Sequence, residues 1–76
     1  MTCSACEIAE ENPRTGRFNA DCFECQCRSL AHSQNAKDAM MGYPEGLKAA
    51  MLKLFPDKDK YRAARVSVYG WIKRLS

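Results

Sequence analysis

No stretch of this chain approaches the roughly 20 consecutive apolar residues that cross a bilayer, so a membrane span is not expected. The N-terminus Met1-Thr2-Cys3 shows neither a charged segment nor an apolar one of the secretory type. Histidine and tryptophan occur once each, as His32 and Trp71. The patterns H-E-x-x-H, G-x-G-x-x-G and G-x-x-x-x-G-K-[ST] are all missing, which removes zinc peptidase, dinucleotide-binding and P-loop chemistry. The H-x-E plus P-C-x-x-C pattern of zinc deaminases is missing too, because Asp21 precedes Cys22 and His32 follows the cysteines. Length is also scarce: at 76 residues the chain is one expected domain, 1-76, of a size at which an apolar core supplies only about 3–5 kcal/mol. A staple is therefore needed.

Cysteine is what the chain has in excess, with five residues. An odd number and the missing leader disfavour disulfides and point to a reduced, cytoplasmic protein. Four of the five form two C-x2-C pairs, Cys3-Ser4-Ala5-Cys6 and Cys22-Phe23-Glu24-Cys25. Four soft thiolates at this spacing are the donor set of a closed tetrahedral Zn2+ site, so Cys3, Cys6, Cys22 and Cys25 are the expected ligands of one structural zinc. Zinc binding releases roughly 10–16 kcal/mol in small finger peptides and is coupled to folding, which suits a chain this short. A rubredoxin-like iron site has similar spacing, but Glu7 and Gln26 stand where glycine usually follows each pair. With four cysteine ligands no coordination position remains for an activated water, and an enzyme is not expected. Cys27 lies about 200° around a helix from Cys25 and is read as a core residue. His32, two turns beyond Cys25, is too far along to share the ion.

Periodicity places the rest. Asn12-Pro13-Arg14-Thr15-Gly16 is a turn cluster flanked by room for very short strands, which predicts a small hairpin or irregular loop. Asp21 followed by Glu24 has the form of a capping box opening a helix, with Phe23, Cys27, Leu30 and Ala31 on one face. Cys22 and Cys25 then fall in its first turn, where free backbone N–H groups favour thiolate. Ser33-Gln34-Asn35 interrupts this helix, and Ala36 to Met41 adds a short helical segment closed by Gly42. Pro44 opens the next helix, with Leu47, Ala50, Met51 and Leu54 at i, i+3, i+4, i+7, and Pro56 ends it. Asp57 or Asp59 caps a final helix whose Tyr61, Ala64, Val68, Trp71, Ile72 and Leu75 form one apolar face. Gly70 inside it suggests close backbone packing or simple tolerance.

The expected fold is thus a small zinc-stapled, mainly α domain: an N-terminal zinc knuckle and short hairpin followed by about three helices. Residues 1-34 form the zinc-binding part and residues 35-76 the helical part. Charge divides along the same line. Residues 1-34 carry Arg14, Arg17 and Arg28 against Glu7, Glu10, Glu11, Asp21 and Glu24, a net −2 that a Zn2+ with four thiolates lowers to −4. Residues 35-76 carry nine Lys or Arg against Asp38, Glu45, Asp57 and Asp59, a net +5. An anionic partner should meet this half. On the final helix, Lys58, Arg62, Arg65 and Lys73 share one flank with Tyr69, the composition of a nucleic-acid-binding surface and equally of a solvated flank. The other expectation is a protein-interaction adaptor, docking through Trp71 and Ile72 if the core leaves them open. Neither a membrane partner nor a small-molecule substrate is expected.

The segment from Cys3 to about Leu30 resembles a treble-clef zinc finger, in which one cysteine pair sits on a knuckle and the second begins a helix. That resemblance implies metal-ligand roles for Cys3, Cys6, Cys22 and Cys25. A zinc ribbon has related spacing but would place the second pair on a hairpin, against the capping signal. Through its two cysteine pairs, Leu-Ala helix and tryptophan-bearing last helix, the whole chain is also similar to small cysteine-bearing accessory proteins of phages and prophages. Those mostly have no assigned activity.

Overall fold

The computed structural model describes residues 3–76, which contain five helices and no strand. They are α1 (Ser4–Glu11), α2 (Phe23–Ala31), α3 (Gln34–Met40), α4 (Glu45–Leu54) and α5 (Lys58–Leu75). The zinc-knuckle and hairpin expected at the N-terminus are replaced by α1 and an irregular loop, so the helix count is five and not about three. α1 forms because Ala5, Glu7, Ala9, Glu10 and Glu11 are good helix formers and Glu7 lies in the first turn, at the positive end of the helix dipole. Asn12, ahead of Pro13, ends it.

The loop between α1 and α2 has no strand ladder because its carbonyls are used elsewhere. Arg28, from α2, donates to the carbonyls of Thr15 and Arg17, two groups that a hairpin would have paired across itself. Asn12 and Asn19 close local turns instead, their side-chain oxygens accepting from the backbone N–H groups of Arg14 and Asp21.

α2 is the central element. It packs along α5, the largest helix–helix contact in the protein, and also touches α1, α3 and α4. Its buried face is Cys27, Arg28, Leu30 and Ala31, with Cys25 at the start. The capping box is not formed: Cys22 occupies the N-cap, and the Glu24 carboxylate instead accepts from Ser67 Oγ (2.8 Å) and Trp71 Nε1 (3.1 Å) on α5. Ser33 caps α3 through its side chain, and the helix ends in a Schellman turn. There Gly42, at φ 99°, and Tyr43 return their N–H groups to Ala39 and Asp38. In α4, Leu47 and Met51 are buried as the periodicity requires, but Leu54 is exposed. Phe55 takes its place, leaving the helix at φ −127° to set its ring edge-on to Phe23, with centroids 5.2 Å apart. Asp57 caps α5 by accepting from Asp59 and Lys60 N–H groups. Ala64, Val68, Trp71 and Ile72 are buried and Tyr61 and Leu75 pack at their margin, so all six residues of the expected apolar face serve the core.

Gly70 does not mark a close backbone contact, because a Cβ built there meets nothing within 4 Å. Its presence in α5 is a plain helix-propensity cost. Gly70→Ala is therefore expected to stabilise the protein by up to about 1 kcal/mol, read as a higher denaturant midpoint at unchanged slope. A lower midpoint would reveal a contact that the geometry does not contain.

Candidate metal centre

The sulfur atoms of Cys3, Cys6, Cys22 and Cys25 lie within 4.8 Å of one another. Cys3 to Cys6, Cys3 to Cys25 and Cys6 to Cys22 are each 3.4 Å, and Cys6 to Cys25 is 3.6 Å. Four sulfurs at about 2.3 Å from one ion would be separated by about 3.8 Å; four of the six separations are slightly shorter than this and all six lie within 4.8 Å, so the cluster is close to the size of a tetrahedral site. All five cysteines are free thiols. The residues brought together are the four expected as ligands.

Two helix starts supply them in the same way. Cys3 is the N-cap of α1 with Cys6 three residues on, and Cys22 is the N-cap of α2 with Cys25 three residues on. A C-x2-C pair thereby spans the first turn of each helix, where backbone N–H groups lack partners within the helix. The Cys6 backbone N–H is the main influence that lowers the Cys3 thiol to about 6; partial burial opposes it and the other sulfurs add to it. Cys6, more deeply placed, is held well above the usual cysteine range, chiefly by burial. Binding a metal there must displace a proton, as it does wherever thiols become ligands.

Arg28 shows that the pocket is built for negative charge. Among the described residues it is the one buried charged residue, with no exposed surface. Nη1 donates to Thr15 O at 2.9 Å, Nη2 donates to Arg17 O and to Cys25 Sγ at 3.8 Å, and the guanidinium stacks on the Phe18 ring at 4.4 Å. Nε has no hydrogen-bond partner. Neutral carbonyls and a ring do not balance a buried cation, and removing such a charge from water costs several kcal/mol. A divalent ion with four thiolates carries a net −2 beside it and supplies the missing counter-charge. The donor set and its surroundings therefore fit a tetrahedral thiolate-bound metal, for which Arg28 is an outer-shell partner.

Sequence reasoning did not find Arg28, since nothing local separates it from the other eleven Lys and Arg side chains. The remaining candidates fall outside the cluster. Cys27 is fully buried in the core, where burial, first of all, pushes its thiol up to about 11. His32 Nε2 lies 3.0 Å from Pro13 O, and its ring packs edge-on to Phe18. Cys27 is thus the core residue expected from its helical position, and His32 lies apart from the four clustered sulfurs.

On α5, Lys58, Arg62, Arg65, Tyr69 and Lys73 are all exposed along one flank, as expected from their spacing. Arg65 and Tyr69 line a concavity of about 260 Å³ together with Tyr61 of the same helix and Pro44, Lys48 and Met51 from the α4 side. Lys48 was out of reach of a helix-by-helix reading because it comes from another element. No helix among the described residues is long and apolar enough to cross a membrane.

Comparison of the chain with family models, curated proteins and solved structures returns no match. The treble-clef and phage-protein resemblances thus gain no support, and α1 departs from the knuckle that a treble clef requires. What the geometry defines, among the described residues, is a small, mainly helical protein with a four-cysteine cluster that could hold a metal ion.

Replacing any one of Cys3, Cys6, Cys22 or Cys25 by Ser should abolish stoichiometric metal in purified protein, whereas Cys27→Ala should retain it, as measured by elemental analysis. Arg28→Met, which keeps much of the side-chain volume, should weaken metal affinity by about 10- to 100-fold in chelator competition. Affinity equal to that of the unaltered protein would remove Arg28 from the metal centre.

Proposed function

We propose that this protein is a non-enzymatic, zinc-stapled nucleic-acid-binding module in which one structural zinc holds α1 to α2 and α5 provides the contact surface. Support for zinc comes from the all-sulfur donor set, the tetrahedral dimensions and the buried Arg28 counter-charge. Four cysteine ligands leave the ion no open position, which suits a structural role.

The observation that carries the nucleic-acid reading is the stripe on α5. Lys58, Arg62, Arg65, Tyr69 and Lys73 recur at spacings of 4, 3, 4 and 4 residues and stay exposed. Over 15 residues of helix the stripe extends about 22 Å. Asp59, the only acid on α5, lies beyond the edge of this flank. Phosphate neutralisation by such a row gives binding that is strong at low salt and blind to sequence.

The adaptor reading loses the surface on which it was based. Trp71 and Ile72 are each only 7% exposed, and the Trp71 indole is tied to Glu24 and overlain by Arg74 at 4.5 Å. The apolar face of α5 is covered by the protein itself.

Binding of the metal-loaded protein to nucleic acid should weaken with salt. With four phosphates engaged by the four cations, log K against log salt should fall with a slope between roughly −2.8 for single strands and −3.6 for duplex. Changing Lys58, Arg62, Arg65 and Lys73 together to Gln should flatten that slope. No binding at low salt would sink the reading.

A further inference from the structure

The stripe is not uniform: at one point it becomes a recess with aromatic walls. Tyr61, Arg65 and Tyr69 stand one helical turn apart along the edge of α5 that meets α4. The recess they line, about 260 Å³, has Met51, 1% exposed, as its apolar base and Lys48 of α4 on its opposite side. Tyr69 is 39% exposed, and Tyr61 is partly buried against the core. A cation therefore lies between two rings on α5, and a second cation faces them from α4.

We infer that the α4–α5 recess is a single-strand binding site, in which unpaired bases stack on Tyr69 and Tyr61 and the intervening phosphates are neutralised by Arg65 and Lys48. This rests on the nucleic-acid reading above and names the form of nucleic acid. Two features select a single strand over a duplex. Paired bases are already stacked on one another and offer no free face to a tyrosine, whereas every unpaired base does. A helix read by a duplex must also stand clear of its own fold to enter a major groove about 12 Å wide, being itself about 10–12 Å across. α4 packs against α5, and its Lys48 lines the same recess as Arg65 and Tyr69, so this edge of α5 does not stand clear of the fold. An acidic peptide would satisfy Lys48 and Arg65 but leave the two rings and the Met51 base without a partner.

The test uses the full-length, metal-loaded protein and a labelled pyrimidine oligonucleotide of about 12 nucleotides, within the range of roughly 4–16 that single-strand sites span. Fluorescence anisotropy gives affinity against this strand, the same strand as a duplex, and an unlabelled poly-glutamate competitor. The single strand should bind tighter than the duplex. Tyr69→Leu should raise Kd at least about fivefold with an unchanged salt slope, and Tyr69→Phe should restore affinity because the ring face is kept. Lys48 adds a fifth phosphate contact to the four on α5, so the single-strand slope is expected to be about −3.5, and Lys48→Gln should return it to about −2.8. Metal content and circular dichroism of each variant establish that it is folded, and Tyr69, at the surface, is chosen over the core-packed Tyr61 for that reason. Duplex preference, indifference to Tyr69→Leu in a folded variant, or displacement by poly-glutamate as effective as by unlabelled strand would overturn the recess as a single-strand site. If salt-dependent binding through the α5 cations survives those results, the broader nucleic-acid reading stands alone; absence of all binding removes both.

Discussion

The buried guanidinium of Arg28 is the interaction on which the N-terminal half depends. It reaches the carbonyls of Thr15 and Arg17, the ring of Phe18 and the sulfur of Cys25 at once. One side chain thus organises a loop that has no ladder of its own and joins it to the metal-binding cluster. Such an arrangement is costly in isolation, because a desolvated cation with an unpartnered Nε is a burden on a domain this small. It becomes favourable when the adjacent sulfurs hold a metal and carry net negative charge. Loop, counter-charge and ion are therefore mutually dependent.

The same charge resolves a second conflict. α1 and α2 bring their N-termini together at the cluster, so two positive dipole ends converge where like ends would repel. A metal held by four thiolates between them would carry negative charge and turn that repulsion into attraction. Both C-x2-C pairs use one solution, an N-cap cysteine and a second cysteine three residues later, and the spacing of three is what aims both sulfurs off the same end of a helix. Burial matters less here than elsewhere in the protein: α1 contributes only Cys6 and Ala9 to the interior. Its attachment must come largely through sulfur.

The four clustered cysteines, α2, α4 and the apolar face of α5 were legible in the sequence because each is a local pattern with a short period or a fixed spacing. What escaped depended on contacts between distant residues. Eight residues of α1 were hidden because the first cysteine pair was read by analogy with a knuckle, although Ala5, Glu7, Ala9 and Glu10 favour helix. Glu24 had the right position for a capping box, yet Ser67 and Trp71, more than 40 residues away, compete successfully for its carboxylate. Phe55 lies past the end of its helix, where periodicity has no meaning, and still displaces Leu54 from the core. Arg28 and Lys48 were invisible for a common reason: a cation acquires a role only through the groups that the fold sets around it.

Glu24 links the two ends of the molecule. It sits between the ligands Cys22 and Cys25, and its Oε2 accepts from both Ser67 and Trp71, one turn apart on α5. These hydrogen bonds to a charged acceptor belong to the stronger class and fix the rotation and axial position of α5 against the first turn of α2. That first turn is also the part of α2 whose conformation a metal would hold most firmly. The exposed flank of α5, with its cations and Tyr69, is set by the same rotation, because residues on one helix turn together. A chain of 76 residues can in this way hold a four-cysteine cluster and a cationic surface at once. The carboxylate keeps them in fixed relation, and the acidic half supplies the scaffold on which the basic half is displayed.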